Sequence, residues 1–369
     1  MNRNLKFYFF CHPHAPADKS SYEHGIVAIA EGLSELGIET YSNLDYWEKT
    51  PGSNDFLIKN HKEIKYSDCD VVIFSTETYT SSTPDILPKD LFQDQRKYKL
   101  IFIDSSDAIP SAKGYITPGF DQKIRKVDFV LKSHFCKKFE YPSNFIPWQF
   151  GLTNRMISSL KPLPFKDRND EVLVNFRCKH QLRDLAEKKV MKTVYESLVK
   201  NSETDSYDEK HIDTLEHHYW TLTGRRHYSS YYKRLGRSKA CAAFGGFLQT
   251  PKSNSTNIWF KVLRRIDAKF NIFDYDRILQ FDSWRFWESL ASGCLTIHID
   301  FDKYGVVLPV MPINGIHYLG VDFSNLEKSK KDLKQVKKFE SIANAGREWV
   351  LNNYSPVKVA ERLIKILDS

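Results

Sequence analysis

Asp282-Ser283-Trp284-Arg285-Phe286-Trp287-Glu288-Ser289-Leu290-Ala291-Ser292-Gly293-Cys294 runs directly into Leu295-Thr296-Ile297-His298-Ile299-Asp300. The first part has the marks of a helix. Ser283 is a capping residue, Gly293 a left-handed stop, and the apolar run behind it a buried strand. Ser283, Arg285 and Glu288 lie near the helix start, where backbone N–H groups and the macrodipole favour anions. Arg285 adds a forked donor suited to phosphate oxygens, and Glu288 can accept from a ribose diol. Together they point to a nucleoside diphosphate. An Arg–Glu pair at i,i+3 is also an ordinary solvated pair on a packed helix, so spacing alone leaves both readings open.

Around this stretch the chain is long enough, at 369 residues, for two domains of ordinary size. A hydrophobic content of 41% and an aromatic content of 14% fit a globular chain with a large core and exclude a disordered one. The net charge of +8 permits a phosphate-bearing ligand, an anionic membrane surface or nucleic acid, and selects none of them. Six cysteines are scattered with no CxxC pair, mostly in apolar runs, and read as reduced core thiols. Leu5–Phe10 is strand-like and too short for a signal peptide, and no apolar run reaches the roughly 18–20 residues of a membrane helix.

Strands and helices alternate through the first half, the signature of a parallel sheet covered on both faces. Strands are expected over 5–11, 38–41, 70–75, 99–104, 129–133 and 144–147, with a helix over 22–36 stopped by Gly37. No GxGxxG follows the first strand, which argues against a dinucleotide site of that type. Lys161-Pro162-Leu163-Pro164 breaks any helix and places a linker at 160–168. A second α/β half opens at 171–176, with a helix predicted over 181–200 and a strand within 240–248. The last helical stretch, 337–369, is broken near Tyr354-Ser355-Pro356.

Ser-x-Arg-x-x-Glu followed by Gly-Cys and an apolar strand resembles the donor-sugar motif of GT-B-type glycosyltransferases, nearest the exostosin-like branch. Tyr231-Tyr232-Lys233-Arg234-Leu235-Gly236-Arg237-Ser238-Lys239-Ala240-Cys241 resembles that branch's Tyr-x-x-x-Leu-x-x-Ser-Lys-x-Cys segment. Val174-Asn175-Phe176-Arg177, with Arg183 downstream, resembles the strand–loop–Arg opening of its donor domain. The resemblance covers roughly residues 172–320. It implies an α/β fold of two Rossmann-like domains with a cleft between them. Residues 1–160 would bind the acceptor, 169–345 would bind the nucleotide-sugar, and a helix at 346–369 would pack back on the first domain. The segment Ile258–Ile278 departs from the branch and reads as an insertion beside the donor pocket.

The implied activity is transfer of a sugar from a nucleoside diphosphate, UDP- or GDP-linked, to a hydroxyl of a glycan, lipid-linked or protein acceptor. The donor set is then Arg177, Arg183, Ser238, Lys239, Ser283, Arg285 and Glu288. GT-B enzymes generally need no metal, and the scattered His211, His217, His218 and His227 match no metal template. The position eight before Glu288 is Gln280, so the Glu-x7-Glu pair of retaining enzymes is incomplete and inversion is expected. Eukaryotic exostosins carry a membrane anchor that this chain lacks, which implies a cytoplasmic enzyme with peripheral membrane association at most. Nucleic acid is not the expected partner, because the basic residues are spread along the chain. A non-catalytic nucleotide-sugar or glycan-binding protein on the same scaffold is the alternative.

Ligands of open α/β sheets sit on the loops that follow the strands, and those loops nominate a base for the acceptor hydroxyl. Asp107 follows the strand ending at Asp104, His14 and His24 follow the first strand, and Glu77 follows the strand ending at Ser75. The alternatives at each are a cap, a turn or a solvated imidazole.

Overall fold

A computed structural model describes residues 5–13, 22–80, 86–106, 123–176, 180–207, 214–246, 248–249, 277–278 and 282–368. Lys6–Phe10 (β1) and Glu39–Ser42 (β2) are followed by a small antiparallel ribbon of Tyr46–Glu48 (β3) and Phe56–Ile58 (β4). Val71–Ser75 (β5), Lys99–Asp104 (β6), Phe129–Lys132 (β7) and Phe145–Pro147 (β8) complete a six-stranded sheet in the order β2-β1-β5-β6-β7-β8. Its strands pair in parallel throughout. Along β1, Phe7 and Phe9 enter one core while Tyr8 and Phe10 enter another, as alternation across a sheet covered on both sides requires.

A second parallel sheet holds Asn169–Leu173 (β9), Val199–Asn201 (β10), Ser238–Ala242 (β11), Leu295–Ile299 (β14) and Leu319–Val321 (β15), in the order β10-β9-β11-β14-β15. Leu248–Gln249 (β12) and Arg277–Ile278 (β13) form a separate antiparallel pair. Of the expected insertion at 258–278, all but these last two residues lie outside the described residues. The two sheets with their helices are two Rossmann-like domains facing each other across a cleft. The chain passes from the first sheet to the second through the Pro162-Leu163-Pro164 stretch and the short turn Phe165–Asp167.

The helix predicted through Lys200 ends earlier. Gln181–Ala186 continues through a π turn, Glu187–Met191, to Lys192–Val194, and Val199–Asn201 is then the edge strand β10. Val199 is 68% exposed, so that strand buries no apolar pattern for a sequence reading to find. The five described cysteines are all buried and free. Among the described residues no helix is long and apolar enough to cross a membrane.

The chain ends in two helices broken by Ser355-Pro356. Phe339–Tyr354 stays with the second domain, where Trp349 and Tyr354 pack on Trp287. Pro356–Leu367 crosses back, and its Val359, Ala360 and Leu363 join the core of the first domain against the helix His24–Glu35. Gly32 permits that approach. A Cβ there would stand 2.0 Å from the Pro356 carbonyl oxygen and 2.8 Å from Ala360 Cβ. Backbone cannot yield as a flexible side chain would, so Gly32→Ala is expected to lower stability by about 1–3 kcal/mol. A urea titration followed by tryptophan fluorescence checks it, and an unchanged midpoint would mean that the two helices are not locked together here.

Candidate functional site

A cavity of about 1150 Å³ opens between the two sheets, lined from both domains. The first sheet contributes residues at or just beyond the carboxyl ends of its strands: Ser75 and Glu77, Ser105, Ser133, Gln149 and Phe150. That is where the topology of open α/β sheets puts ligands. From the second domain come Asn175 and Phe176 after β9, the 204–207 stretch after β10, and Ser283, Arg285 and Glu288.

The helix Trp284–Ala291 starts at this cavity, and its N-cap Ser283 makes no side-chain cap hydrogen bond. The Ser283 hydroxyl donates instead to the Ala243 carbonyl, at 3.4 Å. The Phe286 N–H donates to the Ser283 carbonyl at 2.9 Å, and the N–H groups of Trp284 and Arg285 lack the capping oxygen that Ser usually supplies. One turn on, Glu288 is 3% exposed and accepts from the Tyr232 hydroxyl at 3.1 Å, which in turn accepts from Arg155 Nη1 at 2.6 Å. Burial pushes the Glu288 pKa up, against the pull of Arg155, Tyr232 and Arg285.

Arg285 lines the cavity with its Nε buried and unpartnered, and among the described residues it makes no hydrogen bond or ion pair. Arg183 is tethered: its Nε donates to the Phe244 and Gly245 carbonyls, both at 3.2 Å, and its guanidinium lies over Phe176. Arg225 and Arg226 reach the cavity from a turn in which Gly224 and Arg225 both have left-handed φ, 57° and 64°. A non-glycine residue held there is the kind of strain found at functional loops. Arg225 lies over Trp220, and Arg226 over Trp284. Tyr207 and Tyr228 stack at 5.0 Å on the same wall.

Two carboxyl groups meet at Ser75 in the first domain. The Ser75 hydroxyl lies 2.6 Å from Glu23 Oε1 and 2.9 Å from Glu77 Oε2, yet it has one proton to give. Glu23 is fully buried, and burial pushes its pKa up to about 8. A neutral Glu23 resolves the conflict by donating inward while Ser75 donates to Glu77. Ser105 adds a second hydroxyl to Glu77 at 3.2 Å. Glu77 is thus a carboxylate held by two hydroxyls at the cavity wall.

The structure is similar to that of an alpha-glucosyltransferase solved with UDP-glucose and DNA containing an abasic site, with a TM-score of 0.52 and 12% identity over 99% of both chains. It is equally similar, at 0.52 and 12%, to a glycosyltransferase from Rickettsia africae, covering 98% of this chain and 97% of that one. The sequence itself matches no protein-family model and no curated protein. The fold is GT-B. At this identity the likeness speaks of the fold, and the chemistry has to come from the residues.

Set on this GT-B frame, the sequence expectations divide. Ser283, Arg285, Glu288 and Arg183 come together in the cleft. Ser238 and Lys239 do not: they open β11 at its amino end, away from the cleft, where Lys239 pairs with Asp170. His24 lines the cavity but has no nitrogen to offer as a base. Its Nε2 donates to the Gly151 carbonyl at 3.2 Å, and its Nδ1 faces the Tyr22 hydroxyl at 3.3 Å. Burial pulls its pKa down to about 3, so the ring is neutral. Asp107, His14 and Arg177 lie outside the described residues. Sequence reading did not place Gln149, Arg225 or Arg226 in the donor site. The Gly-Arg-Arg turn flanked by Trp220 and Tyr228 was the available signal.

Opposite titrations meet in this fold. His24, His227 and His298 are all pulled down from 6.5 to about 3, chiefly by burial. Arg155 Nη1 can only donate to His227 Nδ1, at 2.9 Å, which also requires a neutral ring. Each ring takes up a proton on unfolding below pH 6.5, so their contribution to stability rises with pH from about 3 to 6.5. Glu23 and Glu31 are raised by burial from 4.5 to about 8 and release a proton on unfolding in that window, so stability falls there as pH rises. Thermal stability is expected to peak at about pH 6. Melting curves from pH 4 to 9 check this, and Glu23→Gln should make the alkaline limb shallower; an unchanged limb would mean that Glu23 is ionised in the folded protein.

Proposed function

We propose that this chain is a glycosyltransferase that moves a sugar from a nucleoside diphosphate to a hydroxyl of a glycan or glycoconjugate acceptor. The observation that carries the reading is Arg285, an unpaired guanidinium at the uncapped start of a helix inside the cleft. A diphosphate there would meet first-turn N–H groups, the helix dipole and a forked donor at once. Glu288 lies one turn along for the ribose hydroxyls. The stacked Tyr207 and Tyr228 offer an aromatic face within the same cavity for the base. The Ser-x-Arg-x-x-Glu motif at Ser283, Arg285 and Glu288 is consistent with this assignment.

The chemistry is a single displacement with inversion. The acceptor oxygen attacks the anomeric carbon, its proton passes to Glu77, and the bond from that carbon to the phosphate oxygen breaks. The electron pair leaves with the nucleoside diphosphate. Arg285, Arg183 and the helix N-terminus neutralise the growing negative charge, and Arg226, which lies over Trp284 at the start of the same helix, adds a further cation. Domain closure over the donor fits two domains joined by a short linker.

A thermal-shift panel of UDP, GDP, CMP, ADP and dTDP tests the donor site, since a ligand of the native state raises its melting temperature. One diphosphate is expected to stabilise the wild type and to lose at least tenfold in affinity in Arg285→Ala. No shift with any of the five would remove this reading. Glu77→Gln is expected to keep that affinity while turnover drops roughly 10²–10⁴-fold. Binding without turnover in the wild type would favour a non-catalytic nucleotide-sugar-binding protein.

A further inference from the structure

Gln149 is 2% exposed, and among the described residues neither its amide oxygen nor its amide nitrogen has a hydrogen-bond partner. A buried amide is normally satisfied, and leaving one unpaired costs about 1–3 kcal/mol. This one is not hidden in a core. It lines the interdomain cavity two residues beyond β8, between the buried Trp148 and the half-buried Phe150. The backbone on which it sits is fixed. The Phe150 N–H donates to Asp282 Oδ2 at 3.4 Å, and the Gly151 carbonyl is held by His24. Gly151 has φ 71°, so the turn that aims Gln149 into the cavity needs a residue tolerant of the left-handed region.

Its place relative to the helix start narrows what it meets. Asp282, which holds the Phe150 N–H, immediately precedes Ser283 and the helix that carries Arg285. Gln149 and the helix start line the same cavity, so a group attached to a phosphate at that helix shares the space with this amide. An amide that offers one donor edge and one acceptor edge side by side matches a hydroxyl, or a vicinal pair of hydroxyls, which accept and donate in the same way.

We propose that Gln149 reads a hydroxyl of the transferred sugar, donating from Nε2 and accepting at Oε1, and so sets which sugar the site takes. This rests on the donor reading above. An acceptor glycan carries the same hydroxyl chemistry, and the arms of the test separate the two sources.

The test compares UDP with UDP-glucose, and GDP with GDP-mannose, by calorimetry on the wild type, Gln149→Met and Gln149→Glu. Met keeps the shape and removes both polar edges; Glu keeps an acceptor edge and removes the donor. For whichever nucleotide binds, Gln149→Met is expected to leave the free diphosphate within twofold and to weaken the nucleotide-sugar about tenfold. Gln149→Glu should weaken it too. The free Gln149→Met protein should melt at the same temperature or higher, because the amide it loses was unpaired. Equal weakening of diphosphate and nucleotide-sugar, or a melting temperature several degrees lower, would assign Gln149 a structural role and overturn the proposal. Nucleotide-sugar affinity untouched in both variants would also overturn it, leaving an acceptor hydroxyl or water as the partner. Wild type that binds neither diphosphate removes the donor reading itself, and this proposal with it, a result distinct from selective failure in the variants.

Discussion

The buried carboxylate of Asp282 ties the cleft together. His134, at the end of β7 in the first domain, places Nδ1 2.9 Å from its Oδ1, while Trp287 of the second-domain helix donates to Oδ2 at 2.9 Å. Burial alone would raise the Asp282 pKa, yet His134, Trp287 and the Phe150 N–H together hold it below its ordinary value. His134 accepts a left-handed φ of 55° to make this contact. One ionised carboxylate thus fixes the exit of the first domain against the start of the donor helix. Aromatic packing reinforces the seam, with Trp284 meeting His24 at 4.4 Å, Tyr22 at 5.4 Å and Phe150 at 6.3 Å.

From that seam outward the cleft is divided by charge. The second domain brings guanidinium groups, of which Arg183 is tethered to backbone carbonyls and Arg285 is left for a ligand. The first domain answers with neutral imidazole at His24, a protonated Glu23 and the hydroxyl-held Glu77. A diphosphate is drawn to one wall and an uncharged hydroxyl to the other. The two walls are not isolated from each other, since Arg226 of the second domain is electrostatically coupled to Glu77.

Much of the fold was legible because its strands are buried on both faces. Val71–Ser75 and Lys99–Asp104 are continuous apolar runs with clear ends, and Gly37 and Gly293 stop their helices in the left-handed conformation that the sequence announces. Val199–Asn201 was not legible, since an exposed edge strand has no pattern to show. In the site, Arg285 and Glu288 could be read from local helix chemistry. Ser238 and Lys239 could not be excluded without knowing which end of β11 faces the cleft. His24 looked like a base because its position was right. What disqualified it was the Gly151 carbonyl, 127 residues away in sequence. Gln149 was invisible for the same reason: an orphaned amide is a property of packing, not of spacing.

The most direct measurement is a crystal structure of the chain with the nucleoside diphosphate it binds. The account predicts phosphate oxygens within hydrogen-bond distance of the Arg285 guanidinium and of the first-turn N–H groups after Ser283, with the ribose beside Glu288. A diphosphate seated elsewhere, with Arg285 still unpartnered in the cleft, would contradict it.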